Sequence, residues 1–141
     1  VIPTVITQLL AGRSHIRLGK LSPTRDFNYV LDTCAGFMAL AQCDQAIGKT
    51  VNIGSGREIS IGNVVALIAN LMQSKVEIEC DDQRLRPENS EVERLLCDNT
   101  LIKALTDFAP RYSLEDGLAA TISWLREPNN LARYKVGIYN V

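Results

Sequence analysis

The stretch "EISIGNVVALIANLMQSKVEIEC", residues 58–80, changes its hydrophobic period part-way along. Ile61, Val64, Val65, Ile68, Leu71 and Met72 recur at three- and four-residue steps, which places one apolar stripe on a helix. Ser60 stands where an N-terminal cap belongs. From Lys75 the pattern turns to strict alternation: Lys75, Glu77 and Glu79 against Val76, Ile78 and Cys80. That is the signature of a half-exposed strand. A helix with one buried stripe, followed directly by a strand, has to cover a sheet. The expected fold class is therefore α/β, a small mixed α+β lobe.

The remainder fits the same class. Residues 3–11 read as a helix with Pro3 in its first turn and Gly12 as its stop. "HIRLG" is a strand candidate and "KLSPT" a turn. "RDFNYV" is extended, with Phe27 and Tyr29 suited to a strand or strand-like loop. Asp32 is expected to cap a helix running to about Cys43, with a small-residue face through Ala35, Met38, Ala39 and Gln42. "TVNIGSG" reads as a β run ended by glycines. Asp98 is expected to cap a short helix over 99–105, and Ser113 with Asp116 forms an S-x-x-D box ahead of a helix over 114–126. The tail "EPNNLARYKVGIYNV" reads as irregular. At 141 residues, with no repeat or linker, the chain is expected to be one domain spanning 1–141.

Charge and cysteine content narrow the function. Fifteen Lys+Arg against sixteen Asp+Glu leave no basic stripe for nucleic acid or a membrane surface. The apolar runs are too short to span a bilayer, and nothing reads as a secretory signal. Cys34, Cys43, Cys80 and Cys97 are scattered without a C-x-x-C, and His15 is the one histidine, so no zinc site is expected. Buried, reduced thiols in a cytoplasmic protein are the expectation.

No self-contained catalytic set is visible, because His15 stands beside Ser14 with no positioned acid. "NIGSGREIS" invites a dinucleotide-loop reading, but the third glycine of G-x-G-x-x-G is replaced by Ile59. A tight turn needing positive φ at Gly54 or Gly56 accounts for the glycines without a ligand. The arginines are more informative. Arg25 leaves a proline-initiated turn, and Pro87 biases Arg86 toward an extended backbone. A guanidinium on a constrained backbone suits two phosphate oxygens at once. The alternative is that Arg25 pairs with Asp26 or another acid, and that Arg84, Arg86 and Arg94 pair with Glu88, Glu91 and Glu93. Exposed pairs of that kind contribute only about 0–1 kcal/mol each. Spacing alone favours those pairs.

In order along the chain, "IPTVITQLLAG", "IRLG…PTRDFNYVLDTCAGFMAL", "TVNIGSGREISI", "RPENSEVERLLCDNTLIKAL" and "YSLEDGLAATISWL" resemble the C-terminal half of the extended short-chain dehydrogenase/reductases. These are the NAD-dependent nucleotide-sugar epimerases and dehydratases. "LSPTRDFNYV", "RPENSEVERLLCDN" and "LARYKVGIYNV" are most similar to 4,6-dehydratases acting on UDP-N-acetylhexosamines in nonulosonic-acid pathways. The resemblance implies that Arg25 and Arg86 clamp the substrate pyrophosphate, with Asn89 on the ribose. Ile16 and Leu18 would line the base pocket, with Ile61 a further apolar contact. Asp26 and Asp32 are expected to be structural: a turn or a partner for Arg25, and a helix cap.

The family's G-x-x-G-x-x-G cofactor loop and its Tyr-x-x-x-Lys pair do not occur here. The opening on Val1 suggests a piece cut from something longer. No catalytic or cofactor-binding residue is therefore expected in this chain, and NAD would belong to the parent enzyme. That parent would oxidise the sugar C4 hydroxyl, remove the C5 proton, eliminate the C6 hydroxyl and return hydride to C6. The alternative is a free-standing binding module whose uncovered apolar face is hidden by self-association.

Overall fold

The computed structural model describes residues 1–81 and 92–134. Six helices are described: α1 (Ile2–Leu10), α2 (Val30–Ala41), α3 (Ile61–Leu71), α4 (Thr100–Leu105), α5 (Leu114–Arg126) and α6 (Pro128–Leu131). The strands are β1 (His15–Leu18), β2 (Thr24–Arg25), β3 (Ile59–Ser60), β4 (Glu77–Cys80) and β5 (Arg94–Leu95). The α/β expectation holds. The chain forms two compact units.

The first unit is built from described residues of 1–23, 60–93 and 118–141. The helical stripe of the opening stretch does what its period requires: Val64, Val65 and Ile68 of α3 are buried with Val5, Ile6 and Leu9 of α1. The Ser60 hydroxyl accepts from Asn63 N–H at 3.2 Å and caps α3. Gly12 stops α1 at φ +74°, a left-handed turn that glycine adopts without strain. β1 and β4 pair in parallel, with His15 opposite Glu77 and Leu18 opposite Cys80. Ile16 and Leu18 point inward, and Leu118, Ile122 and Leu125 complete this core. All four residues of β4 are exposed, so the half-buried strand expected from its alternation is not what forms. β1 takes the inward positions, and β4 is held through its backbone and through the Arg17–Glu79 pair at 3.2 Å.

The second unit comprises residues 24–59 and 94–117. β2 and β5 pair in parallel, Thr24 opposite Arg94 and Arg25 opposite Leu95, in a sheet ordered β3-β2-β5. Ile102 and Phe108 are buried here, and Tyr29 packs on Tyr112 with ring centroids 4.8 Å apart. Residues 50–56 form no strand, against expectation. α2 also differs from its expected form. Tyr29, not Asp32, holds its N-cap position. Asp32 lies in the first turn, 2 % exposed, and its carboxylate accepts from Arg111 N–H at 2.9 Å and Tyr112 N–H at 3.2 Å. It ties the segment before α5 to α2 instead of capping its own helix. The buried face of α2 is Asp32 and Gly36; an added Cβ at Gly36 would sit 2.6 Å from the Ile53 side chain. Met38 and Gln42, read as part of a small-residue face, are exposed.

Of the local signals near the C-terminal end, the S-x-x-D box forms as expected. Ser113 and Asp116 form a reciprocal capping box, with Ser113 Oγ donating to the Asp116 carboxylate at 2.6 Å and Asp116 N–H donating back at 3.0 Å. Asp98 accepts from Thr100 N–H at 2.9 Å, but the cap expected of it is not what forms: Asn99 holds the N-cap position of α4, which starts at Thr100. The tail is not wholly irregular, since α6 begins at Pro128. The four cysteines carry free thiols, but Cys34 and Cys80 are exposed and Cys43 and Cys97 only half-buried. Buried thiols were the wrong expectation: Cys34 on α2 and Cys80 on β4 face outward, and Cys43 and Cys97 lie in connecting segments that cover them only in part.

Candidate functional site

The candidate residues fall in different parts of the chain. Arg25 ends β2 in the second unit, half-buried, with Nη1 donating to the Thr24 carbonyl at 2.7 Å. Ile16, Leu18 and Ile61 belong to the first unit. Ile16 and Leu18 are 0 % and 4 % exposed. Ile61 opens α3, its N–H bonded to the Pro23 carbonyl at 3.0 Å. Arg86 and Asn89 lie outside the described residues, as does Arg84.

The residue after Arg25 organises the loop that suggested a dinucleotide. The Asp26 carboxylate accepts from Ser55 N–H at 3.1 Å, Ser55 Oγ at 2.5 Å, Gly56 N–H at 2.8 Å and Cys97 N–H at 3.3 Å. Successive backbone N–H groups in such a turn make a concavity for an anion. Here the anion is the protein's own carboxylate. Gly56 has the positive φ that a tight turn needs, +71°. Gly54 is there for space: an added Cβ would lie 2.4 Å from Cys97 Cβ. Asn99 Nδ2 closes the loop by donating to the Gly54 carbonyl at 3.0 Å. These glycines and amides do not fit the phosphates of NAD, because the donors that would cradle them are already used.

Charged side chains around β2 form a second cluster. Arg94 Nε lies 2.9 Å from both Glu58 oxygens and its Nη2 lies 2.7 Å from Oε1. Thr24 Oγ1 donates to Oε2 at 2.7 Å. This bidentate fork holds the Glu58 carboxyl well down, at about 2, chiefly through the Arg94 bond and then the Thr24 bond. Arg94 was expected to pair with a glutamate of its own charge run; its fork instead grips Glu58, 36 positions away. Lys20 takes Glu93.

His15 also has a partner that the sequence did not reveal. Its Nε2 lies 3.0 Å from Glu77 Oε2, and Ser14 Oγ lies 3.0 Å from Nδ1. The expectation that no acid faces His15 is therefore corrected: the parallel register of β1 and β4 brings Glu77 opposite it. The His15 and Glu77 side chains are 64 % and 81 % exposed. Water screens such a pair to about 0–1 kcal/mol, and it lacks the enclosed, oriented setting that a serine nucleophile requires.

The family model described as GDP-mannose 4,6 dehydratase matches residues 1–121. The chain belongs to that family. It is 34% identical over 132 residues to a UDP-N-acetyl-alpha-D-glucosaminuronate decarboxylase of Bacillus cytotoxicus, a match covering 92% of this chain and 41% of that protein. Among solved structures, an epimerase from Methanothermobacter thermautotrophicus superposes with a TM-score of 0.83 at 28% identity, covering 94% of this chain and 39% of that one. A dTDP-glucose 4,6-dehydratase from Bacillus anthracis, solved in complex with NAD, gives 0.76 at 25% identity, covering 91% and 39%. The chain thus spans about two fifths of the length of these relatives. The fold is that of the NAD-dependent epimerases and dehydratases.

Among the described residues, no helix is long and apolar enough to cross a membrane.

Proposed function

We propose that this chain is the nucleotide-sugar-binding lobe of an NAD-dependent sugar 4,6-dehydratase or epimerase, a single substrate-binding domain over residues 1–141. The observation that carries this is the match of nearly the whole chain to two fifths of enzymes whose names specify nucleotide sugars. Arg25 and Arg86 would grip the diphosphate by their planar forks, and Asn89 would meet the ribose. Ile16 and Leu18, interior in their unit, would underlie the base, with Ile61 beside it. The free cysteine thiols suit a cytoplasmic setting.

The lobe would supply binding energy from the remote nucleotide and so position a sugar for chemistry performed elsewhere. NAD would be held outside this chain, consistent with a glycine loop whose amides already serve Asp26. The lobe would turn over no sugar nucleotide by itself.

Calorimetric titration with UDP tests the clamp. Arg25→Ala and Arg86→Ala are each expected to weaken binding by about 1.5–3 kcal/mol, the loss of charge-assisted bonds. Unchanged affinity in both variants would return the two arginines to ordinary surface pairing.

A further inference from the structure

Arg25 is tied down through the residue before it. Its Nη1 donates to the Thr24 carbonyl at 2.7 Å, and the Thr24 hydroxyl donates to Glu58 Oε2 at 2.7 Å. Glu58 is gripped in turn by Arg94, whose Nη2 lies 2.7 Å from Oε1 and whose Nε lies 2.9 Å from both oxygens. Arg25, Thr24, Glu58 and Arg94 thus form one chain of charge-assisted bonds within the second unit.

Strand geometry places this chain of bonds. The register sets Thr24 opposite Arg94, so the two reach Glu58 from neighbouring strands. Successive strand side chains leave on opposite faces, which puts Glu58 on the face of β2 away from the Arg25 stem. Glu58 stays ionised across the neutral range, because Arg94 and then Thr24 hold its carboxyl at about 2. On the other side of Arg25, Asp26 N–H donates to the Leu95 carbonyl at 2.9 Å, and the Asp26 carboxylate takes the donors of the glycine loop. Both neighbours of Arg25 are therefore fixed by side chain and by backbone.

We propose that Thr24, Glu58 and Arg94 are positioning residues for Arg25: acting through the Thr24 carbonyl, they hold its guanidinium in one orientation for a diphosphate. The proposal rests on the reading of Arg25 as a phosphate clamp and names the residues on which that clamp depends. Ordering a rotamer-rich side chain in advance removes a cost that otherwise falls on binding, which amounts to about two- to tenfold in affinity.

Calorimetric titration of the 141-residue chain with UDP tests it. Thr24→Val keeps the branched shape and removes the hydroxyl, whereas Thr24→Ser keeps the hydroxyl. The Arg94 side chain is 65 % exposed, so Arg94→Met breaks the fork without disturbing a core. Thr24→Val and, separately, Arg94→Met should each weaken UDP binding about two- to tenfold, while Thr24→Ser binds like the parent. With Arg25→Ala already in place, adding Thr24→Val should change affinity no further, since its effect runs through Arg25. A loss that persists undiminished in the Arg25→Ala background would overturn the proposal. So would unchanged affinity in both Thr24→Val and Arg94→Met beside a weakened Arg25→Ala, a result that leaves the clamp itself standing. Parent-like affinity in Arg25→Ala would instead overturn the clamp, and the positioning role with it.

Discussion

Replacing Asp26 by alanine removes the one carboxylate on which residues 54–56 and Cys97 converge. Four donors lose their acceptor: the N–H groups of Ser55, Gly56 and Cys97, and the Ser55 hydroxyl. Bonds to a charged acceptor contribute about 1.5–3 kcal/mol each when fully sheltered. Asp26 is only half-buried, so water replaces part of what is lost, and the longest bond, 3.3 Å to Cys97, contributes least. The expected net loss is about 2–4 kcal/mol. Asp26→Asn keeps one acceptor oxygen but turns an amide toward the other donors, so it should fall between alanine and the parent. Urea unfolding reports both, with the slope held constant between variants so that the midpoint reads stability. A loss below about 1 kcal/mol for the alanine variant would refute the reasoning, because the loop would then hold its shape without its anion.

Three further outcomes follow from the geometry. Glu58 is held near 2 against an ordinary 4.5 by Arg94 and Thr24; its contribution is complete above 4.5 and is lost as pH falls toward 2. The urea midpoint of the parent should therefore drop more steeply through that window than that of Glu58→Gln, and parallel curves would count against the fork. Gly54→Ala forces a Cβ to 2.4 Å from Cys97 Cβ and should cost about 1–3 kcal/mol or more. Gly12→Ala, with φ +74° but nothing within 4 Å, meets only backbone strain of about 1–2 kcal/mol, so thermal melts should rank Gly54 as the costlier site. Burial, then the charges of Asp26 and Asp98, push the Cys97 thiol up. At about pH 8 it should alkylate more slowly than Cys34 or Cys80, because the thiolate is the reacting form, and Asp26→Asn should speed it.

What the sequence by itself determined was local. The Ser60 cap, the Ser113–Asp116 box, the stop at Gly12 and the centre of the α3 stripe (Val64, Val65 and Ile68) each depend on residues a few positions apart and formed as read, while Leu71 at the end of the stripe is exposed. The family, too, was legible, because its motifs recur in order along the chain. Tertiary structure decided the features whose partners are distant in sequence. Asp32 looked like a cap for its own helix but serves Arg111, 79 positions on. The β run over 50–56 did not form; its Ser55 and Gly56 give their N–H groups to Asp26, 29 and 30 positions back. Glu77 met His15 only through the strand register. The outward apolar face of α2 arose because Gly36 allowed Ile53 to approach the opposite side. For the candidate site, backbone constraint singled out Arg25 and Arg86 in the sequence, but only the resemblance to the family proposed them as a clamp. What each carboxylate nearby would hold could be known only once the chain had brought its distant donors together.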